Sequence, residues 1–201
     1  MTTALLALQV LTNLAGAPPG PGLPTGWRLD RPKGTDAAVF QVTAERALRV
    51  ETNGSAGFAT YRPHRALRPE AGVVTWRWRT ATPLPGAALH EREHDDSPAR
   101  VLVAFDDGRM IYYTWGNREP VGDTFRSWTS GARLVVVCRR AADADGSWHL
   151  ERRDPFADYR RAFNRAPHPL VAVGVAADTD MLHARTVAEV ADLVWEPGGR
   201  P

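Results

Sequence analysis

The feature that most restricts the fold of this chain is a succession of short strand patterns separated by turn residues. In the clearest of them, at 73–79, Trp76 and Trp78 alternate with Arg77 and Arg79. A period of two residues is typical of a strand with one buried side and one solvent-facing side. Further strands are predicted at 39–42, 47–51, 57–61, 100–105, 109–115, 133–138, 147–153, 171–177 and 190–195. This pattern predicts an all-β fold, built as an antiparallel β-sandwich.

One short helix interrupts the strands, at 155–164. Asp154 is a suitable N-cap, because its carboxylate can accept hydrogen bonds from the first free backbone N–H groups. Pro155 fits the first helical position, where no N–H is needed. Phe156 and Tyr159 then lie on one side of the predicted helix, so that side is expected to face the core.

The N-terminal 24 residues are predicted to lie outside the domain, which then occupies 25–197. Residues 4–14 are largely apolar, and 15–17 have the small-x-small form of a signal-peptidase site. No Lys or Arg precedes the apolar segment, so an export signal and a short N-terminal helix both remain open. An export signal favours a periplasmic or secreted protein, and its absence a cytoplasmic one. Residues 18–24 are a Pro/Gly linker, and the whole segment is too short and interrupted to span a membrane.

Composition excludes several classes of function. The formal net charge is only +2 and the cations form no basic run, so no nucleic-acid partner is predicted. The single cysteine, Cys138, excludes an internal disulfide and a cysteine-based zinc cluster. It belongs to the apolar pattern at 133–138, which predicts a small buried hydrophobic residue rather than a nucleophile.

Residues 90–94 read His-Glu-Arg-Glu-His, which is the pattern of zinc proteases. That chemistry requires both histidines on one side of a stable helix, with a third ligand. The segment lies between Pro85 and Pro98 and has no apolar stripe that would dock a helix. A solvated charged loop is therefore predicted, and no catalytic residues are assigned.

Acidic residues are concentrated beside two predicted strands. Asp95 and Asp96 precede Pro98, which places them in a loop at the mouth of the next strand. Together with Asp178 and Asp180 they could supply the hard oxygen ligands that calcium prefers. The alternative is that these carboxylates pair with neighbouring arginines. Calcium is the one cofactor suggested.

Strand alternation also predicts one outer face of interleaved arginines and acids. Two interpretations remain open: a self-neutralising charge network that contributes little stability, or a polar groove for a sugar or an anionic glycan. In the second, Tyr113, Trp115 and Trp128 are the candidates to stack at the rim, although core packing is expected for Trp115. The predicted ligand-binding residues are Arg77, Arg79, Asp96, Arg100, Tyr113, Glu151 and Asp178.

Several motifs give the chain a resemblance to a known family. They are Trp-Arg-Trp-Arg at 76–79, Asp-Asp-Ser-Pro-Ala-Arg-Val at 95–101, the segments at 151–154 and 158–163, and Asp-Thr-Asp at 178–180. Together they resemble the bacterial family catalogued as domain of unknown function 3047, over roughly 27–195. The resemblance implies a secreted or envelope-associated β-sandwich, similar to the jelly rolls of carbohydrate-binding modules. It implies no particular activity.

The sequence therefore predicts a non-catalytic binding module for a polysaccharide or another polar ligand. One alternative is a glycan-cleaving enzyme with paired carboxylates, Glu151 with Asp178 or Asp96. The other is a purely structural domain whose charges satisfy each other.

Overall fold

The computed structural model describes residues 8–201 and confirms the all-β prediction, with two sheets packed face to face as a jelly-roll sandwich. The strands are β1 (Gln9–Val10), β2 (Gly20–Pro21), β3 (Arg28–Asp30), β4 (Asp36–Ala37), β5 (Val39–Val42), β6 (Leu48–Asn53), β7 (Ser55–Tyr61), β8 (Gly72–Thr80), β9 (Ser97–Phe105), β10 (Met110–Trp115), β11 (Thr124–Ser127), β12 (Ser130–Arg139), β13 (His149–Arg153), β14 (Leu170–Asp178) and β15 (Arg185–Pro197). The helix α1 is Pro155–Phe163, and short 3-10 turns lie at Leu14–Gly16 and Ala141–Asp143.

The first sheet has the strand order β13-β8-β15-β6-β5-β2, with β1 paired to β15. The second sheet has the order β11-β12-β10-β9-β14-β7-β3, with β4 paired to β7. Within residues 8–201 the pairings are antiparallel, except that β10 with β12 and β4 with β7 are parallel. Strands β8 and β9 follow each other in the chain but belong to opposite sheets. The arginines of β8 and the arginine of β9 therefore lie on different sheets.

Large aromatic side chains fill the space between the sheets. Trp76 of β8 packs against Tyr113 of β10, and Trp78 packs against Trp115, with ring centroids 5.2 Å apart in both pairs. All four side chains are fully buried. Such pairs contribute about 0.5–1.5 kcal/mol each beyond the burial of their area. The predicted alternation of β8 is thus confirmed, with its tryptophans inward and its arginines outward.

Helix α1 forms where it was predicted, with one side packed on the core. The Oδ1 atom of Asp154 accepts hydrogen bonds from the backbone N–H of Phe156 at 3.0 Å and of Ala157 at 2.9 Å. Phe156 and Tyr159 are fully buried, and the ring of Tyr159 lies 4.7 Å from that of Phe105. Asn164 ends the helix in a left-handed conformation, with φ of 50°.

The N-terminal segment is not the loose linker that the sequence suggested. Strand β1 pairs with β15 and β2 pairs with β5, and Leu11 and Leu14 are buried in the core. From Gln9 onward the chain is therefore part of the sandwich, since these leucines cover core residues that would otherwise meet water. Residues 1–7 lie outside the described residues, and the export signal stays a prediction. None of the helices in residues 8–201 has the length and apolar character needed to cross a membrane.

Candidate functional site

The single polar face predicted from strand alternation is wrong, because its residues lie on different sides of the sandwich. Arg77 and Arg79 of β8 lie on the outer side of the first sheet. Arg100 of β9 lies on the outer side of the second sheet. Alternation correctly directs all three away from the core, but the two outer sides face opposite directions.

The arginines of the first sheet form a self-neutralising network. Arg77 pairs with Asp192 at 2.5 Å and Arg79 pairs with Glu189 at 2.8 Å. Both guanidinium groups also stack on the ring of Trp148, at 4.6 and 4.4 Å from its centroid. With their charges and flat faces already engaged, these two arginines are better explained as surface structure than as ligand contacts, and exposed pairs of this kind stabilise by about 0–1 kcal/mol.

Glu151 does not face a ligand on either sheet. Its strand β13 directs Leu150 to the solvent, and Glu151 lies opposite Trp76 on the inner side with only 6% exposure. The Nε of Arg139 donates to its Oε1 at 2.5 Å, and Arg153 lies 3.5 Å away. A pairing of Glu151 with Asp178 or Asp96 for catalysis is therefore ruled out, because the core separates them.

The prediction that Tyr113 contacts a ligand is also wrong. It is fully buried, its hydroxyl donates to Asp158 at 2.9 Å, and burial raises the pKa of this hydroxyl well above its usual value. It cannot stack on a ligand. Trp115 is likewise in the core, whereas Trp128 is 55% exposed in the turn between β11 and β12.

One cavity lies on the outer side of the second sheet and has a volume of about 450 Å³. Its floor is an apolar platform, formed by Phe58, Leu102, Met110, Tyr112 and Ala176. The platform is flat because β14 carries small outward residues, and at Gly174 a Cβ atom would lie only 2.3 Å from the carbonyl oxygen of Ala59. Such a floor provides an apolar contact surface at the bottom of a cavity that charged side chains border.

Arg31, Arg100 and Arg133 line this cavity, and none of them forms an ion pair within residues 8–201. The arginine side chains instead donate to uncharged groups: Arg31 to the carbonyl of Thr35, Arg100 to the carbonyl of Asp95, and Arg133 to the hydroxyl of Thr129. Among the described residues these three guanidinium groups have no carboxylate at ion-pair distance, in contrast to Arg77 and Arg79, although the charge of Arg100 still acts on Asp95 and Asp178.

Arg100 stands out among these three because it is only 8% exposed. Its Nε atom has no hydrogen-bond partner among the described residues. A buried polar atom without a partner is costly, so this Nε is available to donate to a ligand. This side chain is therefore the strongest single candidate for contact with a ligand.

Carboxylates gather at one end of the cavity, as the loop before β9 predicted. Asp96, Asp178 and Asp180 each place an oxygen within 4.8 Å of the others. Asp96 is 1% exposed and accepts hydrogen bonds from the backbone N–H of Met181 at 3.3 Å and of Leu182 at 2.8 Å. It therefore fastens the loop after β14 rather than facing a ligand, whereas Asp178 and Asp180 line the cavity.

Burial dominates the protonation of these acids. It raises the pKa of Asp178 to about 8, against the opposing charge of Arg100, and the adjacent carboxyl of Asp180 adds to the rise. Burial also raises the pKa of Asp95 and of Asp96. The all-oxygen donor set of Asp96, Asp178 and Asp180 is of the type that calcium prefers. The calcium site stays a prediction.

The zinc-protease pattern at 90–94 forms turns rather than a helix. The Nε2 of His90 lies 2.7 Å from Asp123, and the Nδ1 of His94 lies 3.2 Å from Glu91. The two rings are thus engaged by different acids, which fits the predicted charged loop. Cys138 is buried as predicted, and burial raises the pKa of its thiol to about 12, which makes it a poor nucleophile.

Sequence reasoning missed the apolar platform and two of the cavity arginines, Arg31 and Arg133. The sequence did contain a signal for the platform. Tyr113 and Trp115 are two positions apart on β10 and point to the same side, so the intervening alternation directs Tyr112 outward. The run of small outward residues on β14 was a second signal for an open floor.

A family model described as "Protein of unknown function (DUF3047)" matches residues 26–194. No curated protein matches the chain.

Solved structures of similar fold include the following two. One is the xyloglucanase domain of NopAA, a type three effector from Sinorhizobium fredii, in complex with cellobiose: identity is 11%, the alignment covers 90% of this chain and 97% of that one, and the TM-score is 0.50. Another is a family 11 carbohydrate-binding module from Clostridium thermocellum, in complex with a β-1,3-1,4-mixed-linked tetrasaccharide: identity is 10%, coverage is 96% of both chains, and the TM-score is 0.47. At these identities the likeness concerns the fold alone.

Proposed function

The chain belongs to the DUF3047 family, and for this member we propose that it is a non-catalytic binding module of the cell envelope whose ligand is a polysaccharide. The observation that carries the proposal is the cavity on the second sheet. It combines an apolar platform with arginines and carboxylates that form no ion pairs within residues 8–201.

This combination matches the chemistry of a sugar ring. The ring has apolar C–H faces, which suit contact with Phe58 and the other platform residues, and a rim of hydroxyl groups. Guanidinium groups such as that of Arg100 donate in a fixed fork, and Asp178 and Asp180 can orient hydroxyls from the other side. The volume of about 450 Å³ lies in the range of small-molecule sites.

Location in the periplasm or outside the cell is part of the same proposal, because polysaccharides of the cell envelope are found there. The apolar segment at 4–14 supports it by composition, but Leu11 and Leu14 belong to the core, so cleavage at 15–17 is not part of the proposal. Fractionation of cells that express the full chain tests it, and recovery in the cytoplasm alone would contradict it.

A glycan array followed by calorimetry tests the binding function. Arg100→Gln and Phe58→Ala are expected to weaken binding by about tenfold or more, since each removes one half of the proposed contact. Arg77→Gln is the matched control, because Arg77 is paired on the opposite side of the sandwich. If Arg77→Gln lost binding and the other two variants kept it, the site would lie on the first sheet. Binding of the wild type to no glycan would refute the function.

A second candidate function is glycan cleavage, and one observation favours it. Asp178 lines the cavity without an ion pair to an arginine, and its raised pKa would let it hold a proton near neutrality, as a general acid must. The test is release of reducing ends from any glycan that binds. Cleavage by the wild type that Asp178→Asn abolishes, with binding retained, would establish an enzyme; binding without cleavage supports the module.

A further inference from the structure

A second cavity, of about 570 Å³, continues the first along the outer side of the second sheet. The two cavities share Thr60 and Met110 in their linings. The second is bordered by Arg28 and Arg62 and ends at the turn before β10, near Asp106. Because they share lining residues the two cavities adjoin, and we call them together the long groove.

The floor of the long groove follows β14. The outward positions of this strand are Ala172, Gly174, Ala176 and Asp178, so no bulky side chain rises from its middle. At a rise of about 3.3 Å per residue, Ala172 to Asp178 spans roughly 20 Å. A groove of this length fits an extended polymer better than a compact small molecule.

Five arginines line the long groove, and within residues 8–201 none of them forms an ion pair. They are Arg28, Arg31, Arg62, Arg100 and Arg133. Arg77 and Arg79 of the first sheet are neutralised by Asp192 and Glu189, whereas no described carboxylate lies within ion-pair distance of these five side chains.

The charges are unevenly distributed along the groove. Four carboxylates, Asp30, Asp95, Asp178 and Asp180, line the half formed by the first cavity. In the half formed by the second cavity, the lining acid is Asp106, and the Nδ1 of His168 already lies 2.7 Å from its carboxylate. The half that contains Arg28 and Arg62 is therefore positive, and an arginine fork matches a carboxylate or sulfate group geometrically.

We infer that the long groove binds a linear acidic polysaccharide, with charged groups of the polymer over Arg28 and Arg62 and its sugar rings over the apolar platform. The inference rests on the proposed function and adds the charge and the extended form of the ligand. A single-stranded nucleic acid is the competing polyanion, but it would require bases stacked along the groove, and the aromatic side chains of the platform lie only at the first cavity.

The experiment compares polymers that differ in charge alone. Polygalacturonate and alginate are each measured by calorimetry beside their methyl-esterified forms, at low and high salt, with the full chain. The acidic forms are expected to bind about tenfold more tightly, with an advantage that shrinks as salt rises. Equal binding of the esterified forms would overturn the inference and leave the proposed function intact, whereas binding to no glycan of any charge would remove both.

Variants then locate the charged contact. Arg62→Gln and Arg28→Gln are each expected to weaken binding of the acidic polymer several-fold and leave that of the ester unchanged. Both arginines are exposed, so the variants should keep the wild-type denaturation midpoint. Arg65→Gln is the control, since Arg65 is exposed nearby but does not line the groove. Equal loss in the control, or displacement of the polymer by single-stranded DNA at equal charge, would overturn the inference.

Discussion

The ring of Phe58 on β7 lies 6.4 Å from the ring of Tyr112 on β10, centroid to centroid, although two strands separate β7 from β10. Neighbouring strands are about 4.8 Å apart, so the backbones are roughly 14 Å apart and both rings must lean inward. They can do so because Gly174 and Ala176 of the intervening β14 are small. The flat platform thus depends on the absence of side chains on one strand.

Gly174 is expected to tolerate no side chain. Its Cβ would lie 2.3 Å from the carbonyl oxygen of Ala59, a backbone atom that cannot move without disturbing the pairing of β7 with β14. Gly174→Ala should lower the free energy of unfolding by about 1–3 kcal/mol, measured by urea denaturation. Gly131→Ala is the control, because Gly131 has no atom within 4 Å of an added Cβ. Equal midpoints for both variants would show that β14 has room to shift.

The protonation of Asp178 should make stability fall as pH rises. Its pKa is 3.8 when unfolded and about 8 when folded, so the folded state binds the extra proton between these values. The resulting stabilisation is complete below about pH 4 and is lost as pH rises through about 8. Asp178→Asn keeps a neutral group at all pH values. The free energy of unfolding of the wild type minus that of Asp178→Asn should therefore decrease from pH 5 to pH 9, measured by denaturation at each pH. Parallel pH curves for the two proteins would contradict the assignment.

The helix cap could be predicted from sequence because its contacts are local. Asp154 accepts hydrogen bonds from residues two and three positions later, so no knowledge of the sheets was needed. Asp154→Ala should lower the free energy of unfolding by about 0.5–2 kcal/mol. Glu70→Ala, at an exposed position between β7 and β8, serves as the control. An unchanged thermal midpoint for Asp154→Ala would show that the cap does not stabilise the protein.

The location of the site could be predicted only in part, because alternation does not say which sheet a strand joins. Arg79 and Arg100 both face outward as predicted, yet β8 pairs with β15 while β9 pairs with β14. The approach of Asp96 to Asp178 depends on the pairing of β14 with β9, which brings together residues far apart in the chain. Long-range pairings of this kind leave no trace in the period of a single strand.

The N-terminal boundary was missed for a different physical reason. Apolar residues interrupted by Gln9 and Thr12 resemble an export signal in composition, and composition does not reveal that a two-residue strand will pair with β15. Leu11 and Leu14 then lie at 0% and 2% exposure in the common core. Their burial gives the segment a structural role that any processing of the chain would have to respect.

Removal of residues 1–17 is therefore expected to destabilise the domain strongly. Truncating a single buried leucine costs about 2–5 kcal/mol, and this deletion removes two together with the pairing of β1 with β15. Removal of residues 1–7 alone leaves Leu11 and Leu14 in place and is the matched control. The measurement is the thermal midpoint of both shortened chains beside the full chain. Equal midpoints for the two shortened chains and the full chain would show that the core does not depend on Leu11 and Leu14. The segment would then be the linker that the sequence predicted.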